Sequence, residues 1–395
     1  YQELAKSGNR LPSRKYYFRK GTTWSSATAS SFSGRYCETG FVFAGKGPMC
    51  FANDERDILS ILAFLNSKLT SFFMDIFSSA TDFNQGTMRN LPYIPLKGEI
   101  KQKIGLLVSD CIDISKNDWD ESEISWDFER HPFIKNVSSN NKSNLSLKIS
   151  DIYTQWETKK NQILDRLKIN EETINRILID LYNLQEELTP EVEEKDMSLQ
   201  IPHLQRDIKS FMSYFMGCVF GRYNFHRVKV IPTGKELVFS KDSLFHIDRD
   251  NVIPITDDNY FSEDIITLFD EFLVACYGKE TLEENLDFIA QALGKKEESS
   301  RGTIRNYFVV DFYKDHLKTY QKKPIYWLYD SGKQNGFKAL VYMHRYDEDT
   351  TGRVRVDYLH QVQKAYERAT ANLQDDIVNS KDAKEITQLQ KRIEK

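Results

Sequence analysis

Ten side chains in the first ninety residues are of types that contact phosphates and base edges: Lys20, Ser25, Ser26, Thr28, Arg35, Lys46, Asn84, Gln85, Thr87 and Arg89. Lysine, arginine, serine and threonine bind phosphate oxygens, whereas arginine, asparagine and glutamine present paired donors and acceptors to bases. The charge distribution points to the same end of the chain. Residues 1–50 hold eight Lys/Arg and two Glu, a balance of +6, which leaves −10 for the remainder of a chain with net charge −4. A basic end on an acidic protein is either a phosphate-facing surface or an ordinary solvated face. Other chemistry has weaker support. The cysteines at 37, 50, 111, 218 and 276 are odd in number and none pair at CxxC spacing, so free thiols are expected rather than a disulfide framework or zinc site. His316 and His344 lie near Asp315 and Asp347, where an acid–base or metal role competes with an ordinary structural one.

The elements that would position these residues follow from periodicity. The 395 residues suffice for two or three domains, and 40% hydrophobic with 13% aromatic content supports real cores. KYYFRK, RYCETGFVFAG and PMCFA have the aromatic and turn composition of short strands. Ile58, Leu59, Leu62, Leu65, Leu69, Phe72, Phe73 and Ile76 fall at helical spacing, predicting one helix. Residues 148–188 predict a helical hairpin, with Asn170 as cap of the second arm in NEET. The acidic, proline-marked stretch 189–205 suits a linker, and the Asn/Ser-rich run 136–147 a surface loop. Helices are expected at 206–220 and across 257–293, a hairpin of strands around Ser331-Gly332, and a polar helix at 361–395. No apolar run approaches the roughly 20 residues of a membrane span, so no membrane partner is expected. The chain opens at Tyr1, as expected of a fragment of a longer protein.

Several motifs, in order, resemble one family. TWS at Thr23–Ser25, F-S-x-R-Y at Phe32–Tyr36 and the glycine-punctuated Gly40–Phe51 resemble the start of a target recognition domain. LAFLNSKLTSFFMDIFSSATDFNQGTMRNLPYIP resembles its closing module, also found in type I specificity subunits. SWDFERHPF, INRILIDLYNLQEELTPEV and the dense block 306–358 resemble later segments of PglX-like adenine-specific DNA methyltransferases of BREX phage defence, relatives of type IIG restriction–modification enzymes. The resemblance implies an α+β, multi-domain chain. It would comprise a mixed α/β target recognition domain at 1–115, a helical spacer or hairpin at 116–200 and an α-rich C-terminal domain at 201–395 with a small β-hairpin.

It further implies double-stranded DNA as partner, a bacterial cytoplasmic setting, and DNA contacts from Lys20, Ser25, Arg35, Lys46, Asn84, Gln85 and Arg89. Three alternatives stay open. Arg35 fits a structural ion pair, Asn84 a turn, and Trp24 a packing role rather than an intercalating wedge. The basic residues of 301–360 fit either a second phosphate clamp or a solvated face. No catalytic or cofactor-binding residue is expected in this chain. Neither the cofactor loop nor the N-P-P-Y tetrapeptide of amino-methyltransferases is present: Asn90–Tyr93 reads NLPY, and AGKG at 44–47 is a lone glycine pair. S-adenosylmethionine would bind an N-terminal part of the parent protein. An alternative is a protein-interaction module, in which the acidic stretch 257–287, with ten Asp/Glu against one Lys, docks other defence subunits.

Overall fold

A computed structural model describes residues 3, 6, 13–28, 32–77, 83–135, 146–223, 245, 247–294, 297–332, 336–380 and 382–394. The Asn/Ser-rich run lies mostly outside the described residues. Two compact units divide the chain, 1–119 with 159–201 and 120–158 with 202–395, rather than the three successive stretches expected.

In the first unit, β1 (Gly21–Trp24) pairs antiparallel with β2 (Gly34–Cys37) and β3 (Met49–Cys50), giving the order β2-β1-β3. Close backbone approach selects the glycine at 21, where a Cβ would stand 2.6 Å from the Cys50 carbonyl oxygen. Alternation divides the sheet. Thr22, Trp24, Gly34 and Tyr36 share one face, on which Thr22 and Trp24 are buried. Thr23 and Arg35 oppose each other on the other face, where Arg35 is exposed.

The single helix expected across 58–76 is two helices, α1 (Ile58–Leu65) and α2 (Lys68–Phe77), bent by 68°. The reason is Asn66. Its Oδ1 accepts from Gly34 N at 2.7 Å and its Nδ2 donates to Gly34 O at 3.0 Å, so a side chain placed to continue the helix is committed to β2. Asn175 Oδ1 then accepts from Lys68 N, 3.0 Å away, at the start of α2. Neither α1 nor α2 is long enough to cross a membrane, nor does any other single helix among the described residues combine the length and apolarity to do so.

The core of this unit joins Leu62, Phe64, Leu65 and Leu69 to Ile104 and Val108 of α4 (Gly98–Trp119) and to Ile174 and Leu178 of α5 (Ile149–Tyr182). Each fully buried side chain of this kind contributes about 1.5–3 kcal/mol. The helical hairpin does not form, because α5 runs unbroken through Asn170 for 34 residues. Asn170 is buried and donates from Nδ2 to Asp110 Oδ2 at 2.7 Å, so its amide serves a tertiary contact instead of a cap. Nor is the acidic stretch after α5 a free linker. Val192 and Leu199 are buried, Asn175 Nδ2 donates to Pro190 O at 3.1 Å, and Val192 N donates to Glu172 Oε1 at 3.2 Å.

The second unit is built round α6 (Leu204–Val219), whose Phe211, Met212, Tyr214, Phe215, Met216, Cys218 and Val219 are all buried. From Phe211 onward the helix is apolar on nearly every side, as a core helix is, while Gln205, Arg206, Lys209, Ser210 and Ser213 form a polar stripe nearer its start. Around it lie α7 (Ile265–Tyr277), α8 (Leu282–Leu293), α9 (Ser300–Val310) and α10 (Phe312–Thr319). The expected hairpin is present as β5 (Tyr326–Asp330) and β6 (Lys338–Tyr342), antiparallel from Tyr326↔Tyr342 to Asp330↔Lys338. A third strand, β4 (Ile253–Ile255), joins β6 on its other side. The expected α+β class therefore holds, with two small antiparallel sheets in a mainly helical chain. The C-terminal polar helix is α11 (His360–Asn379) followed by α12 (Ala383–Glu394).

Candidate nucleic-acid interface

Three distant segments meet at the Trp24 end of β1. Ser26 N donates to Lys46 O at 3.1 Å, Phe83 N donates to Ser26 O at 2.8 Å, and Trp24 Nε1 donates to Phe83 O at 2.8 Å. These bonds place Ser25, the tight turn carrying Lys46, and the Asn84–Gln85 segment side by side. Ser25, Lys46, Asn84 and Gln85 are all exposed. Trp24 itself is buried and packs near Phe32 and beneath this junction, so it takes the packing role.

The expected residues divide by geometry. Arg35 projects from the outer face of β2, opposite Thr23, and no ion-pair partner for it occurs among the described residues. Thr23, half-buried, donates from Oγ1 to Pro48 O at 2.9 Å, which stiffens the strand that carries Arg35's neighbour. Lys46 and Arg89 are likewise exposed and unpaired among the described residues. Asn84 caps α3 (Gln85–Arg89), with Oδ1 accepting from Gly86 N at 2.9 Å and Thr87 N at 3.1 Å. That cap gives Asn84 the turn-shaping role, while Gln85 beside it holds an exposed amide.

Lys20 lies apart, at the opposite end of β1, where its ammonium is 3.5 Å from Glu38 Oε2. Tyr36 and then Glu38 raise its pKa above the usual lysine value. An exposed pair of this kind adds little to stability.

NLPY and AGKG have structural roles here. Tyr93 packs against Phe64 with ring centroids 5.4 Å apart, and the Tyr182 hydroxyl donates to Pro92 O at 2.5 Å and accepts from Ile94 N at 3.0 Å. Ala44–Gly47 is a closed turn, with Gly47 N donating to Ala44 O at 3.1 Å. Neither segment fits S-adenosylmethionine. A cofactor loop opens its backbone N–H groups toward the ligand at a strand-to-helix junction, whereas Ala44 and Gly47 close a turn on each other and Asn90 N and Tyr93 N donate to Thr87 O and Leu91 O.

In the second unit, three of the seven candidate clamp residues are committed to neighbours. Arg345 lies 3.7 Å from Asp248 and donates to Phe220 O and Arg249 O, Arg353 pairs with Asp347 at 2.8 Å, and Lys314 with Asp311 at 3.4 Å. Lys318, Lys322, Lys323 and Arg355 remain exposed. The acidic helices also spend carboxylates internally: Asp264 on Arg305, Asp270 and Glu283 on Arg301, and Glu284 on Lys148. His316 takes the structural role. It is buried, and Nε2 accepts from Ile325 N at 3.1 Å and Tyr326 N at 3.3 Å.

No protein-family model matches the chain. Two curated proteins do. The adenine-specific methyltransferase PglX of Lacticaseibacillus casei (strain Zhang) is 42% identical over 382 residues, which is 96% of this chain and 31% of that protein. The adenine-specific methyltransferase BrxX of Escherichia coli O9:H4 (strain HS) is 33% identical over 405 residues, covering 95% of this chain and 32% of its own length. The chain thus spans about a third of the length of the relatives it matches. Over that third, the chain is similar to the adenine-specific methyltransferases PglX and BrxX, which fits the C-terminal portion that its motifs implied.

Proposed function

We propose that the first unit binds double-stranded DNA and selects the target adenine for a site-specific methyltransferase in bacterial phage defence. The observation that carries this reading is the convergence of Ser25, Lys46 and Gln85 beside an outer sheet face bearing Arg35, which has no ion-pair partner among the described residues, in a chain related to named adenine-specific methyltransferases. Methyl transfer, with S-adenosylmethionine as donor, belongs to a part of the parent protein outside these residues. Reaction at a base inside a duplex requires flipping it out, and choosing which adenine requires a separate surface that reads neighbouring bases.

The chemistry of the residues assigns the roles. Arg35 has the fork that binds guanine O6 and N7 together, and Gln85 the amide that pairs with adenine N6 and N7. Lys46, Arg89 and Ser25 bind phosphates and set the register without reading sequence. The setting is the bacterial cytoplasm, where the substrate DNA lies. Other defence subunits are a second class of partner, but the internal pairing of Asp264, Asp270, Glu283 and Glu284 leaves fewer carboxylates for docking them.

Selection of bound duplexes from a random-sequence pool tests the assignment. Arg35→Ala is expected to relax preference at one base pair by about 1–3 kcal/mol. Lys46→Ala is expected to weaken binding evenly across sequences. If Arg35→Ala retains the wild-type preference at every position, Arg35 is not a base reader.

A further inference from the structure

Beyond the residues that read or hold the duplex, the first unit carries an apolar tip that those roles leave unused. Phe18 is 49% exposed, Phe41 50% and Val42 58%. The first two are joined through the backbone: Phe18 N donates to Phe41 O at 2.9 Å, and Gly40 N donates to Phe18 O at 3.3 Å. Phe18 has φ 64°, in the left-handed region that bulky side chains rarely occupy, and Gly40 has φ 101°. Strain of this kind persists only where the surroundings fix it, and it gathers at functional positions. Here it turns a large ring outward.

The tip is braced from behind. Tyr17 meets Phe18 edge-on at 6.3 Å and Phe43 at 5.3 Å, Phe43 meets Phe51 at 5.5 Å, and Phe51 stacks on Tyr16 at 5.0 Å. Cations flank it. Lys15 and Arg19 lie 4.9 Å and 5.6 Å from the centre of the Tyr16 ring, with Arg14 and Lys20 close in sequence and Glu38 and Glu55 the nearby acids.

We propose that Phe18, Phe41 and Val42 form a wedge that enters a base step of the bound duplex, partly unstacking it. The inference rests on the DNA-binding reading above. An apolar tip alone would fit a protein partner equally well. The surrounding positive charge selects a polyanion, and braced rings suit stacking against bases, the combination used by proteins that kink DNA with inserted apolar side chains. Its placement fits as well. The tip sits at the Lys20 end of β1 and the Ser25–Lys46–Gln85 junction at the other. At strand rise these are roughly 15–20 Å apart, about five base pairs along a duplex.

The test uses the whole chain on duplexes carrying a fluorescent purine analogue at successive steps, with end-to-end energy transfer to report bending. The wild type is expected to brighten the analogue several-fold at one step and to bend the duplex. Phe18→Gly removes the ring while relieving the left-handed strain, so it should fold at least as stably as wild type yet lose the brightening and the bend. Phe41→Ala should lose them too. Wild-type binding with no step brightened, or variants that brighten and bend as wild type does, would overturn the wedge and leave the DNA reading standing. No binding by the wild type would remove both.

Discussion

Arg305→Ala is expected to destabilise the second unit by about 3–5 kcal/mol, the cost of leaving a buried carboxylate without its partner. The carboxylate is Asp264, whose side chain is 1% exposed. Arg305 meets it with two bonds, Nη1 to Oδ2 at 2.7 Å and Nη2 to Oδ1 at 2.6 Å, and Nη1 also donates to Thr256 O at 3.1 Å and Asp258 O at 3.3 Å. Asp264 in turn caps α7 by accepting from Ile266 N at 3.0 Å. One guanidinium thus ties a helix cap and the strand-to-helix turn to α9. Arg305→Lys keeps the charge without the fork and should recover only part of the loss. Hydrogen exchange of α6 and α7 amides under mild urea reads this unit separately from the first. A loss below about 1 kcal/mol would show that the pair lies on the surface rather than in the core.

The second large effect is acid sensitivity from His316. Burial, and then the nearby charge of Arg222, lower its pKa from 6.5 to about 4. Protonation at Nε2 would also break the bonds from Ile325 N and Tyr326 N, and the rings of Tyr320 and Tyr326 leave no room for a water shell, each centred 4.7 Å away. Between pH about 4 and 6.5 the unfolded chain therefore holds a proton that the folded one does not. Stability from this group is complete above pH 6.5 and declines as pH falls toward 4, by about 3 kcal/mol in all. Glu123 and Asp248 in the same unit act in the opposite sense. Burial raises both carboxyl pKa values, Asp248 to about 8, so their contribution declines as pH rises instead. The His316 effect is accordingly read as a difference. His316→Gln keeps an acceptor but does not titrate, and wild type should lose about 3 kcal/mol relative to it between pH 7 and 4. Parallel stability curves for the two proteins would contradict the buried neutral ring.

Elements that are strongly periodic in sequence, such as α6 and α7, and the β5–β6 hairpin were legible because local pattern and tertiary burial agree there. The misses share one cause. Asn66 and Asn170 have the side chains of helix breaks or caps. One does break a helix, by binding Gly34 across 32 residues, and the other continues one by binding Asp110 across 60. The partner decides the outcome, and it lies far away in sequence. The candidate site shows the same limit. Residue types named Ser25, Lys46 and Gln85, but their proximity depends on the Ser26–Lys46 and Phe83–Ser26 backbone bonds. Those bonds also separate them from Lys20, which looked equivalent in sequence. The outward Phe18 ring carried no signal at all, since composition assigns phenylalanine to the interior and only the backbone at φ 64° turns it out.

Salt dependence of DNA binding tests the central claim most directly. Anisotropy titrations of this chain against a long mixed-sequence duplex, at two salt concentrations, give the slope of log K against log salt. Lys46 and Arg89 together predict a slope of about −1.8 or steeper, at about 0.9 per phosphate neutralised, and Lys46→Ala should make it shallower by about 0.9. Binding that does not weaken with salt, or no binding even at low salt, would contradict the account and leave the chain as a surface for other proteins.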